Sequence, residues 1–154
     1  MHFVIGVVGR PKHAALAAAT EDYEGRAARY WPLEAVEVRE EPARGVTVET
    51  VREREGERLL ARVPAGAQLV ACDVGGEAMT SERFARWMQE ARERGRDVAI
   101  LIGGAFGLAD AVLSRASLRL SLAPWTLPHE LARLVLAEQL YRAGTIVRGE
   151  PYHK

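Results

Sequence analysis

The run Phe3-Val4-Ile5-Gly6-Val7-Val8 is apolar except for one glycine, the pattern of a strand covered on both faces within a parallel sheet. A strand with no polar face has to lie between two layers of helix, and the rest of the chain supplies them. Residues 13–30 carry Leu16, Ala19, Tyr23, Ala27 and Tyr30 at spacings of three and four, which predicts an amphipathic helix stopped by Pro32. Leu33 to Val38 alternates, as a half-exposed strand near a sheet edge does. Residues 47–62 alternate glutamate and arginine with few apolar anchors and predict a mostly solvated helix.

Two further apolar runs, Gln68 to Cys72 and Asp97 to Ile102, flank an amphipathic stretch from Ser81 to Arg94, with Ser81 as its expected cap and Gly95 as its left-handed stop. Asp73-Val74-Gly75-Gly76 is expected to be a turn after a strand ending at Cys72. Beyond Ile102 come a turn-rich short helix, an alternating strand at 118–122, a proline-shaped loop, and a broadly apolar helix from Pro128 to about Ala143 with the proline in its first turn. The alternation of elements predicts an α/β fold, mostly parallel, with helices on both faces of the sheet.

At 154 residues the chain buries about 68–70% of its unfolded surface, which suits one domain spanning 1–154. A 48% hydrophobic and 27% charged composition argues against a disordered or membrane-spanning chain. Twenty-one basic residues cancel twenty-one acidic ones, so no global field draws the protein to nucleic acid or lipid, and any nucleic-acid site is local. Cys72 is the only cysteine, which excludes an internal disulfide and a multi-cysteine metal site and fits a reducing cytoplasm. The histidines show no ligand spacing, so no metal is expected. The N-terminus reads as a strand and not as a signal peptide.

Gly103-Gly104 sits where a buried strand ends, a place where open α/β sheets bind ligands, and is compatible with either a plain turn or a ligand crevice. It matches neither the Rossmann fingerprint nor a P-loop. Three strand ends leading into glycine- or proline-shaped loops converge on one ligand only if the strand order makes them neighbours. Cys72 reads as a small core residue before it reads as a nucleophile, and no Gly-x-Ser-x-Gly elbow exists. The tail, Arg148-Gly149-Glu150-Pro151-Tyr152-His153-Lys154, is either a solvated end or a functional one: it gathers a guanidinium, a phenol, an imidazole and an ammonium. From Arg115 onward six basic residues face three acidic ones.

Three blocks, Leu101-Ile102-Gly103-Gly104-Ala105-Phe106-Gly107-Leu108, Leu120-Ser121-Leu122 through Thr126-Leu127-Pro128-His129, and Glu138 to Ala143 with Arg148 to Lys154, resemble the ribosomal RNA large subunit methyltransferase H family of SPOUT methyltransferases. The resemblance covers the whole chain, including Val7-Val8-Gly9 and Glu55-Gly56-Glu57, more loosely over the first sixty residues. It implies S-adenosylmethionine-dependent methylation of N3 of pseudouridine 1915 in 23S rRNA within the ribosome. It also implies a homodimer and a deep trefoil knot in the part from about residue 70 to 154. A non-catalytic dimeric nucleotide-binding or ribosome-associated module is the alternative.

Carried onto this chain, the resemblance implies cofactor contacts at Cys72, Gly103, Gly104, Ala123, Pro124, Trp125, Thr126, Leu127 and Pro128, mostly through backbone groups. It implies a target base surrounded by Arg142, Tyr152 and His153, with His153 as the first candidate for proton acceptor. RNA is expected at His129, Arg148 and Lys154. The family more often has leucine where Cys72 stands, proline where Ala105 stands, and Gly-Lys where this chain has Gly76-Glu77. The widely apolar last helix calls for a symmetric partner to cover it, one able to place its tail across the other subunit's cofactor.

Overall fold

The computed structural model describes residues 1–153, so the expected RNA contact Lys154 lies outside the described residues. Five strands, β1 (Phe3–Val8), β2 (Leu33–Val38), β3 (Gln68–Ala78), β4 (Val98–Ile102) and β5 (Leu118–Ser121), form one sheet in the order β2-β1-β4-β3-β5. Every pairing is parallel. Five helices connect and cover them: α1 (Ala14–Ala27), α2 (Val48–Leu60), α3 (Ser81–Glu93), α4 (Asp110–Arg115) and α5 (His129–Arg148).

The alternation along β1 explains the two layers. Phe3, Ile5 and Val7 face one core with Val70, Ile100, Phe84, Met88, Leu136 and Leu140, whereas Val4 and Val8 face a second core with Leu59, Leu69, Leu101 and Val112. Thus α1, α3 and α5 cover one face and α2 and α4 the other. The edge position expected for β2 is observed, and its exposed Glu34 and Ala35 follow from it. On α5, Arg133 is 7% exposed and bridges Glu24 of α1 at 2.7 Å and Glu37 of β2 at 3.0 Å; it ties the last helix to the first strand-helix unit. Trp31 adds a buried hydrogen bond from its indole N–H to the Leu140 carbonyl at 2.8 Å.

Several expectations about boundaries are corrected. β3 does not stop at Cys72 but continues to Ala78, its register against β5 shifting between Cys72 and Glu77, so Asp73 to Gly76 is an irregular strand and not a turn. Gly76 is the reason: a Cβ there would stand 2.6 Å from the Arg119 carbonyl oxygen, a backbone approach that only glycine allows. Thr80, not Ser81, caps α3, accepting from the Arg83 N–H, while the Ser81 hydroxyl donates to Gln139 on α5. Pro128 is the N-cap of α5 and not a first-turn residue. α5 continues past Ala143 to Arg148, and Gly144 within it packs against the Tyr30 ring, where a Cβ would be 2.3 Å from Cγ. The helix ends at Gly149, whose φ of 68° is left-handed.

Candidate active site

The strand order places β4, β3 and β5 side by side, so their carboxyl ends adjoin and the loops that leave them share one cleft. That cleft, about 170 Å³, is lined by Cys72, Gly103, Gly104, Ala123, Trp125, Thr126 and Leu127 among the residues expected to hold the cofactor. Pro124 and Pro128 shape the loop without lining the cleft. Asp73, Val74, Leu122 and Ala132, not among the expected cofactor contacts, also line it. Asp73 and Val74 belong to the irregular part of β3, the segment that the sequence offers as one of three strand-end loops able to converge on a ligand.

The glycine turn after β4 is closely packed. A Cβ on Gly103 would lie 2.5 Å from the Gly107 carbonyl carbon, and one on Gly104 would lie 2.9 Å from Glu55 Oε1. α2 supports this turn from outside, where Arg52 Nε donates to the Phe106 carbonyl at 2.6 Å. Across the cleft, no described residue accepts a hydrogen bond from the backbone N–H of Ala123, Trp125, Thr126 or Leu127. A cleft walled by bare glycine backbone and such donors suits a ligand recognised by shape and main-chain hydrogen bonds. Burial pushes the Cys72 thiol up to about 12, so it stays protonated and supplies no nucleophile.

His129, expected to touch RNA, stands at the start of α5 and lines the cleft; its Nε2 is 3.9 Å from Glu40 Oε1. Glu130 beside it accepts from the Lys12 and His13 backbone N–H groups, which holds the β1–α1 loop against α5 and depresses the Glu130 carboxyl.

The expected base-contacting residues gather elsewhere. Tyr152 packs its ring 4.5 Å from that of Tyr141 and donates its hydroxyl to Glu138 at 3.0 Å. Arg142 binds the same carboxylate oxygen through Nε at 3.0 Å, and its guanidinium lies 4.8 Å from the Tyr152 ring centroid. Burial, then hydrogen bonds with Tyr23 and Glu138, raise the Tyr152 phenol well above its ordinary value, so it is neutral. The hydrogen bond to Glu138 is also the main reason that Arg142 is raised. His153 is half-buried, and its Nδ1 is buried without a hydrogen-bond partner among the described residues. Arg148 stacks over Tyr30 at 4.6 Å, and the Tyr30 hydroxyl donates to Glu150. The described part of the tail, 148–153, is therefore packed against α5 and Tyr30 and not frayed. Glu138, which organises it, was legible only as the i,i+4 partner of Arg142.

These two groups do not meet within one chain. Glu138 is nine residues beyond His129, about 2.5 turns and about 13 Å along α5, and so projects from the opposite side of the helix. No residue after Ala132 lines the cleft. Among the described residues there is no cluster of His, Cys, Asp or Glu able to hold a metal ion, and no helix long and apolar enough to cross a membrane.

Comparison with known proteins agrees with this architecture. Residues 1–153 match the family described as predicted SPOUT methyltransferase. The chain is 66% identical over 154 residues to the ribosomal RNA large subunit methyltransferase H of Gemmatimonas aurantiaca, covering 100% of both chains. It is 44% identical over 147 residues to the protein of that name from a Geobacter species, covering 95% of this chain and 94% of the relative. A crystal structure described as a hypothetical protein shares the fold at 17% identity with a TM-score of 0.51, over 96% of this chain and 89% of that one. The strand order, the glycine turn and the loop before α5, together with these matches along the full chain, make this protein a member of the ribosomal RNA large subunit methyltransferase H family of SPOUT methyltransferases.

Proposed function

We propose that this chain methylates N3 of pseudouridine 1915 in 23S rRNA, within the ribosome, using S-adenosylmethionine held in the cleft between the β3, β4 and β5 ends. The observation that carries the reading is the pairing of a glycine wall with unengaged backbone N–H groups at Ala123, Trp125, Thr126 and Leu127. These donors suit the adenine edge and the carboxylate of such a cofactor, and the apolar side chains of Leu122 and Leu127 suit the face of its adenine ring. When bound, the cofactor supplies a methyl on a sulfonium, the N3–C bond forming as the S–C bond breaks to leave a neutral thioether.

The protein's own work is alignment and proton removal. Gly103 and Gly104 let the ligand approach the backbone, and Trp125, 80% exposed, lines the cleft from the opposite loop. The N3 proton passes to the half-buried imidazole of His153. Arg142 and Tyr152, fixed by Glu138, contact the ring oxygens and its face. Because this group stands on the far side of α5 from its own cleft, the complete site is composite: the tail of one protomer covers the cleft of its partner in a homodimer. The partly exposed Leu131, Leu134 and Val135 of α5 give the partner an apolar strip to cover. We read the path from β4 over β3 to β5 and back through α5 as the knotted region of the family.

Zero net charge limits how many phosphates a free RNA could lose counterions to, which favours a preformed ribosomal surface as substrate. The test is transfer of labelled methyl to ribosomes lacking this modification, mapped by nuclease digestion. Label at N3 of that pseudouridine supports the reading; calorimetric binding of S-adenosylmethionine with no transfer to ribosomes, subunits or RNA overturns it in favour of a non-catalytic module.

A further inference from the structure

Where α5 ends and the tail begins, three arginines meet at the end of α1. Arg148 Nη2 lies 3.5 Å from the Arg29 carbonyl oxygen, and Arg92 of α3 donates through Nη1 to the next carbonyl, that of Tyr30, at 3.0 Å. Both guanidiniums also lie over aromatic rings, Arg148 4.6 Å from the Tyr30 centroid and Arg92 4.6 Å from that of Trp31. The Arg29 side chain is exposed and makes no hydrogen bond to a described residue. None of the three forms an ion pair among the described residues, whereas Arg26 and Arg142 nearby pair with Asp22 at 3.1 Å and Glu138 at 2.6 Å. The tail's own carboxylate, Glu150, accepts from the Tyr30 hydroxyl.

The C-terminal end of α1 explains part of this gathering, because its carbonyls attract cations. It leaves most of the donors unspent. A guanidinium has five N–H groups; the two carbonyls take one from Arg148 and one from Arg92, and Gln89 takes one more from Arg92. Like charges set side by side, two of them with their planes held, suit an anion with several oxygens. The corner also continues into the tail. Tyr30 stands 5.9 Å from Tyr141, and Tyr141 4.5 Å from Tyr152, so half-buried rings run from the arginines to the group proposed to meet the target base. Cations interleaved with aromatic faces match RNA, which offers phosphates to the first and unstacked bases to the second. In a chain of zero net charge an RNA surface has to be a local excess of this kind.

Resting on the ribosomal reading above, we infer that Arg29, Arg92 and Arg148 hold rRNA phosphates flanking the target nucleotide, so that the substrate docks on the protomer whose tail takes the base.

The experiment measures ribosome binding by sedimentation and methyl transfer side by side, with the full-length protein. Arg29 carries the test, since its side chain supports nothing else in the fold. Arg29→Ala is expected to raise the ribosome Kd and KM about three- to tenfold, and Arg29→Glu further, through weakened docking and not through kcat. The slope of log Kd against log salt becomes shallower by about 1 in Arg29→Ala, while Arg29→Lys stays within about twofold of the native protein. Arg29→Cys carrying a benzophenone is expected to crosslink to 23S rRNA; Cys72, which stays protonated, competes poorly for the label. An unchanged Kd and salt slope in Arg29→Glu overturn the inference, as does a fall in kcat with KM unmoved, or a crosslink confined to ribosomal protein. Binding that follows these variants in a protein that transfers no methyl keeps the RNA surface and removes only the methylation reading. Methyl transfer with binding indifferent to Arg29 does the reverse.

Discussion

The two ends of α5 hold different kinds of chemistry. At its start, the cleft presents glycine backbone, unengaged N–H groups and a cysteine that stays neutral. At its finish, Glu138, Arg142, Tyr152 and His153 present side chains, interlocked by hydrogen bonds and aromatic contacts. Backbone suits a cofactor whose shape is constant, because main-chain geometry is set by the fold. Side chains suit proton transfer and a target base. One rigid helix keeps the ends apart, so the site proposed above is completed by a second copy and not by bending the first.

The sharpest way to break this division is to remove the proposed proton acceptor alone. His153→Ala is expected to lower methyl transfer at saturating ribosomes by about 10²–10⁴-fold while leaving S-adenosylmethionine affinity unchanged in calorimetry. A fall in cofactor affinity instead would place the tail in its own cleft. Next is the cleft's inert thiol. With Cys72 raised from 9.0 to about 12, its thiolate is scarce at pH 8, and alkylation by iodoacetamide is expected to run at least a hundredfold slower than for a free thiol, recovering only as the pH climbs toward 12.

The packing of the glycine turn gives a smaller effect. Gly103→Ala meets backbone at 2.5 Å and has no flexible side chain to displace, so it is expected to cost about 1–3 kcal/mol in thermal or urea unfolding and to weaken cofactor binding together with it. The smallest change is at the tail's outer contact. Tyr30→Phe removes the hydroxyl that donates to Glu150 and is expected to cost about 1 kcal/mol of stability, with cofactor binding unaltered.

The fold was legible because period-two and three-to-four spacings mark both layers, as the alternation of Phe3, Ile5 and Val7 against Val4 and Val8 shows. Strand ends were less legible where glycine changes a strand without ending it. Gly76 permits contact with the Arg119 backbone, and this closeness is a property of the paired strand, absent from the local sequence. α5 runs five residues beyond the expected end near Ala143, and Gly144, just past that end, lies against Tyr30, more than a hundred residues earlier, a contact absent from the local sequence. The nine expected cleft residues were named from the resemblance, and seven of them line the cleft. Glu55 could not be read as a buried acceptor, since a glutamate among alternating charges on α2 looks solvated until the glycine turn covers it.

The central claim, that cleft and tail work across two copies, is tested by mixing a cleft variant with a tail variant. Gly104→Val displaces the glycine turn that walls the cleft, since even a Cβ meets Glu55 and Val8 behind it, and His153→Ala disables the tail; each alone is expected to be inactive. Unfolded together and refolded at equal amounts, they are expected to regain about a quarter of native methyl transfer, because half of the dimers are mixed and each of those holds one intact site. Mixed dimers, verified by differential tagging, that transfer no methyl would contradict the account.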